Sequence, residues 1–144
     1  MVTVGRKPTT STKTDWSGSG ELDGWDFTAS NATVNRICGQ TNQTSPGVTS
    51  VDLSIYRMDT KARVAYARYT GAPGTGQFCV SVTPVTLNGT VRISWLPHGN
   101  RLNFAGVAGS YVGVTGYTGT PPATWPAGGG MNSTGSFIWA DNLG

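Results

Sequence analysis

Charged side chains are scarce in this sequence of 144 residues, where Asp, Glu, Lys and Arg together make up 12%. Ordinary globular proteins carry about 25%, so long surface helices held by Glu–Lys pairs are not expected. No apolar run approaches the roughly 20 residues that cross a bilayer as a helix, and we expect no membrane association. One His, two Cys and seven carboxylates leave few groups for catalysis. The composition predicts a single domain that is not an enzyme.

The single histidine and the two cysteines show no pattern typical of a reactive site. His98 lies in the turn-forming sequence Pro97–Asn100, without a recognisable acid and nucleophile around it, and we expect an exposed turn residue. Cys38 and Cys79 lack the paired spacing of zinc ligands. The leading residues contain no apolar run typical of a secretion signal. A disulfide is possible by count, but we expect two reduced thiols.

Four of the seven carboxylates lie close together in the sequence, and their oxygens would suit calcium. These are Asp15, Glu21, Asp23 and Asp26. Their spacing matches no calcium-binding loop, and nothing selects a pair for acid–base catalysis. We therefore expect a solvated turn region, and we predict no metal site and no cofactor.

The excess positive charge lies in the leading segment. Arg6, Lys7 and Lys13 occur in residues 1–14, which contain no acid, and the other seven basic residues equal the seven acids in number. Such a segment can bind phosphates or lie along an acidic protein surface. We predict an extended basic arm over 1–14 that docks on a partner, and an acidic Gly/Ser turn segment over 15–24.

Residues 25–144 read as the body of the protein, with apolar and polar residues alternating as in half-buried strands. The alternation is clear in Val51–Tyr56, Val64–Tyr69 and Phe78–Val82. The pair Asn88-Gly89 predicts a type I′ hairpin turn, and residues 119–130 predict a long loop. About eight short strands indicate an all-β, antiparallel β-sandwich with a jelly roll as the expected topology.

Aromatic side chains are the remaining candidates for contact with a partner. Trp95 and Trp139 are in phase with apolar neighbours and are expected in the core. Four others are predicted to contribute surface or ligand contacts, because they lie on the less apolar faces of strands or in loops. They are Tyr56, Tyr69, Tyr117 and Trp125.

Two stretches resemble virion proteins of tailed phages that infect actinobacteria. The first is Val51–Tyr69, a strand–turn–strand pattern, and the second is the C-terminal stretch from Gly116 to Gly144. Minor tail and head-fibre domains of those phages often end in a similar way, with a loop like Thr120–Thr124 followed by an aromatic strand like Phe137–Trp139. The resemblance covers about a third of the chain.

The resemblance implies a phage structural protein, and the short length favours a capsid decoration protein. Its arm would bind the major capsid protein, and its sandwich would face outwards on the virion after synthesis in the host cytoplasm. Homo-oligomers, trimers above all, are expected, without a direct role for nucleic acid. One alternative is a domain of a minor tail or fibre protein that binds a carbohydrate or receptor, with Tyr117 and Trp125 stacking on a host-surface glycan. A self-assembling jelly-roll coat protein is a further alternative.

Overall fold

The computed structural model describes all 144 residues and contains β-strands but no helix. No helix is therefore present that could cross a membrane. The strands are β1 (Thr3–Arg6), β2 (Lys13–Ser17), β3 (Leu22–Thr41), β4 (Ser50–Arg57), β5 (Arg63–Thr70), β6 (Gly76–His98), β7 (Leu102–Val114), β8 (Gly130–Ser136) and β9 (Ile138–Asp141). The predicted all-β class is confirmed.

Two long strands, β3 and β6, organise the sheet. The strand order is β1-β9-β3-β6-β4-β5, and β7 pairs with β2, β3 and β8. Every pairing is antiparallel. The first part of β3 pairs with β7 and the last part with β9, while β6 runs along most of its length.

Aromatic contacts indicate that β6 bends back over the core. Phe78 and Trp95 are 17 positions apart on this strand, which in a straight strand would separate them by about 56 Å. Their ring centroids are 6.3 Å apart. The two halves of β6 therefore face each other across the core, an arrangement consistent with a β-sandwich. The jelly-roll topology stays a prediction.

The bend coincides with residues that adopt positive φ. Asn31 on β3 has φ 47° and Gly89 on β6 has φ 74°, and the register shifts between Ala29 and Ala32. The Asn31 amide donates to Asn88 Oδ1 at 2.7 Å. The hairpin predicted at Asn88-Gly89 is therefore wrong, because only Gly89 of the pair has positive φ, whereas a type I′ turn needs it at both residues, and β6 continues through the bend.

The leading segment is part of the sheet. β1 pairs with β9 and β2 pairs with β7, so residues 1–14 are largely extended but lie on the body of their own chain. Val4 is buried in the largest apolar cluster of the protein, called the main core below. The turn predicted for 15–24 is limited to the short connection between β2 and β3, because both strands extend into that segment.

Strand β4 is buried on both faces, although its alternation predicted one polar face. Every residue from Ser50 to Tyr56 is buried. Val51, Leu53 and Ile55 belong to the main core. On the opposite face, the loop between β7 and β8 covers Tyr56, and a second apolar cluster forms there from Leu22, Tyr56, Leu96 and Trp125.

Cys38 and Cys79 form a disulfide, which corrects the expectation of reduced thiols. They are directly paired on β3 and β6, with their Cα atoms 4.1 Å apart. Phe137 and Trp139 pack around the bridge in a third apolar cluster. The sequence could not show this, because the pairing of two cysteines 41 positions apart depends on strand register.

Candidate functional site

The three basic residues of the leading segment differ in their availability. Arg6 Nη1 donates to Ser136 O at 3.0 Å, and its guanidinium lies 5.4 Å from the Phe27 ring centroid. Lys13 Nζ donates to Ser133 O at 3.2 Å. Lys7 is exposed, in the connection between β1 and β2, and no salt bridge engages it. Arg6 and Lys13 are held on β8 through carbonyl oxygens that leave their charges unneutralised, and Lys7 is the most exposed of the three.

Tyr56 and Trp125 are not surface residues, and their prediction as exposed contacts is wrong. Tyr56 is 0% exposed and Trp125 is 6% exposed, with their rings edge to face at 5.0 Å. The Tyr56 hydroxyl donates to Pro122 O at 2.7 Å. The Arg92 guanidinium lies 4.7 Å from the Trp125 ring centroid. Tyr56 and Arg92 of the same chain therefore supply the contacts of the Trp125 ring.

Tyr69 and Tyr117 are half-buried and lie in different environments. Tyr69 packs edge to face on Phe78 at 5.3 Å, beside the main core. Tyr117 packs beside the second apolar cluster, and its amide donates to Gly20 O at 3.0 Å. The structure does not bring the four predicted aromatics together on one surface.

Trp16 is the exposed tryptophan of the protein, and the sequence interpretation did not select it. Its side chain is 48% exposed, whereas the other four tryptophans are buried. It lies on β2 opposite Asn103, in a shallow hollow of about 250 Å³. The hollow is lined by Thr14, Asp15, Trp16, Asn42, Gln43, Arg101 and Asn103. No sequence pattern marked this position, since Trp16 is the one apolar residue of β2; in the structure the next residue, Ser17, is fully buried and places Trp16 outward.

His98 is not the exposed turn residue that the sequence predicted, because it belongs to a polar cluster around the buried Asp52. Its side chain is only 13% exposed, and Nε2 lies 2.7 Å from Oδ2 of the fully buried Asp52. Arg68 donates to both carboxylate oxygens, at 2.7 and 3.0 Å, and Tyr66 donates to Oδ1 at 2.8 Å. Burial acts to raise the pKa of Asp52, but hydrogen bonds from Arg68, His98 and Tyr66 outweigh it and hold the pKa below its usual value. The group ties β4, β5 and β6 together.

A side-chain nucleophile activated by the Asp52–His98 pair would have to hydrogen-bond to His98. No hydroxyl or thiol hydrogen-bonds to His98 in the structure, and Asp52 accepts hydrogen bonds on both oxygens. The arrangement is that of a buried carboxylate held by its ion pairs, which favours a structural role.

Asp23 does not lie in the solvated turn expected for the acidic residues near the start, whereas Asp26 is exposed and pairs with a basic neighbour, Arg92. Asp23 is 0% exposed, and Oδ2 accepts a hydrogen bond from Ser17. Oδ1 has no partner. A Cβ placed on Gly113 would lie 2.5 Å from this oxygen and 3.1 Å from Glu21 Oε1, so the two carboxyl groups are close. Burial, aided by Glu21, raises the pKa of Asp23 to about 10, so the group is protonated at neutral pH.

The structure contains no group of three or more His, Cys, Asp or Glu side chains that could hold a metal ion.

No family model, curated protein or solved structure matches the chain. The functional conclusion therefore depends on the residues themselves.

Proposed function

We propose that the chain is a structural protein of a phage virion, a decoration protein that binds the assembled capsid and presents its sandwich on the outer surface. The observation that carries the proposal is the position of the basic leading segment. Strand β1 pairs on one side only, with β9, and residues 1–14 contain three basic residues and no acid. A strand with an unpaired edge can add to a partner's sheet.

The rest of the surface supports close packing of many copies. Four arginines are paired with carboxylates in Arg36–Asp141, Arg57–Asp59, Arg68–Asp52 and Arg92–Asp26. Pairing removes much of the charge that would make neighbouring copies repel each other. Modest contacts of each copy would add up on a repeating lattice through avidity. The proposed partner is the major capsid protein, contacted through an acidic surface, with trimers as the expected oligomer.

Charge reversal tests this proposal better than truncation, because deleting residues 1–14 would also remove Val4 from the core and uncover the edges of β7 and β9. Lys7→Glu is expected to weaken binding to capsids that lack the protein at least tenfold at low salt. Lys7→Arg should retain binding. Lys61→Glu makes the same charge change at another exposed residue and serves as the control.

The assay is co-sedimentation of purified protein with such capsids at two salt concentrations. Because surface charge pairs are screened by salt, the difference between Lys7→Glu and the unmodified protein should shrink as salt rises. Equal loss of binding in Lys7→Glu and Lys61→Glu would show that the leading segment has no special role. Absence of binding by the unmodified protein would overturn the decoration function itself.

A further inference from the structure

The hollow around Trp16 has the composition of a ligand site. Its single apolar lining residue is Trp16, and the exposed indole offers a flat surface that no other side chain of the chain fully covers. Trp16 lies on an edge strand beside polar groups, so its indole offers an apolar surface that a ligand can cover. The Arg101 guanidinium lies over the indole ring, 5.2 Å from its centroid, so a ligand that stacks on Trp16 would also meet this cation.

The polar lining indicates what kind of ligand would fit. Asn42, Gln43 and Asn103 supply amides, which both donate and accept hydrogen bonds. Such groups are complementary to neighbouring hydroxyls, which also do both. Asn42 lines the hollow, and its Oδ1 is shielded from solvent and accepts no hydrogen bond within the chain, so this amide has an unused acceptor beside the hollow.

The charges of the hollow argue against an anionic ligand. Arg101 is the one cation among the lining residues, and Asp15 opposes it. Phosphates of a nucleic acid are bound by clusters of cations, which this hollow lacks. A protein partner would be favoured by further apolar groups around the aromatic, but every lining residue except Trp16 is polar.

We propose that this hollow binds a neutral saccharide, with the C–H face of one pyranose ring on the Trp16 indole and its hydroxyls hydrogen-bonded to the amides of Asn42 and Asn103. Arg101 and Asp15 would add a donor and an acceptor at the margin. The hollow adjoins the leading segment, since Thr14 lines it, but the proposed function assigns capsid binding to β1 and Lys7, so the two sites are tested by different variants. The hollow replaces the loop around Trp125 as the place where a glycan would be recognised.

The test begins with a printed array of neutral and anionic glycans and continues with titration of the best neutral oligosaccharide. Four of the five tryptophans are buried, so a saturable change in tryptophan fluorescence reports on Trp16. We expect Trp16→Ala and Asn42→Ala each to weaken binding at least tenfold, and Trp16→Phe to retain a measurable part of it. Met131→Ala, at a residue that is 68% exposed on β8, is the matched control and should bind normally.

Folding of the variants is checked by circular dichroism and thermal unfolding. Arg101→Ala is a second variant of the hollow, at a residue that lies between strands β6 and β7. No neutral glycan bound on the array would overturn the proposal. So would binding that Trp16→Ala leaves unchanged. Preferential binding of anionic glycans, of single-stranded DNA or of a protein partner at this face would also overturn it.

Discussion

Reduction of the Cys38–Cys79 disulfide is expected to destabilise the protein by about 4 kcal/mol. The bridge closes a loop with a sequence separation of 41 residues, and the chain-entropy relation gives about 4 kcal/mol for that length at 25 °C. The two residues are already opposite each other on paired strands, so the native fold does not depend on the bridge for its register. The loss should therefore lower stability without abolishing the fold.

Urea unfolding of the oxidised and the reduced protein measures this difference. With a denaturant dependence of about 2 kcal/mol per molar urea, reduction should lower the midpoint by about 2 M. The double variant Cys38→Ala/Cys79→Ala separates the crosslink from packing, because it also removes the sulfur atoms that contact Phe137 and Trp139. We expect it to be as stable as the reduced protein or somewhat less stable.

Two results would refute this reasoning. Labelling of two free thiols in unfolded protein that has not been treated with a reductant would show that the bridge does not form. A shift of the midpoint by less than about 0.5 M on reduction would show that the bridge adds little to stability, because the unfolded chain stays constrained in some other way.

Three further predictions concern buried groups. Trp125→Ala should lower the free energy of unfolding by about 3–5 kcal/mol, because it exposes Tyr56; an unchanged melting temperature would contradict the burial of this loop. The pKa of Asp23 is raised to about 10, so its contribution to stability is fully present below about pH 4 and is lost as the pH rises through 10. Asp23→Asn should reduce this decline of the free energy of unfolding with pH, as measured by urea titrations at different pH. The pKa of Asp52 is lowered, so its contribution to stability is present above about pH 4 and is lost on acidification. Asp52→Asn should lower the free energy of unfolding at pH 7 and have little effect at pH 2. An equal loss at both pH values would contradict the ion pair with Arg68.

Local pattern was sufficient for the fold class and for most strands. Alternation with period two in Val51–Tyr56 and Val64–Tyr69 predicted β4 and β5, because a residue's face on a strand depends only on its parity along the chain. The burial of Trp95 and Trp139 followed from the same rule. Abundant glycine and proline between 119 and 130 predicted the loop, because these residues disfavour both regular structures.

What the sequence could not determine was which elements lie against each other. Trp125 and Tyr56 are far apart in the chain and become partners only because a loop folds over the outer face of β4. Asn88-Gly89 has the residue types that a hairpin turn favours, yet only Gly89 adopts positive φ, and the pairing of β6 with β3 continues through a bend there.

The sequence by itself determined an all-β chain with a basic leading segment, because composition and periodicity act locally. Tertiary structure alone decided that the leading strands pair with the body, that the two cysteines meet, and that Trp16 rather than Trp125 is exposed. The reason is physical: contacts between distant segments depend on strand register and on which surface is covered. Neither can be deduced from the neighbours of a residue along the chain.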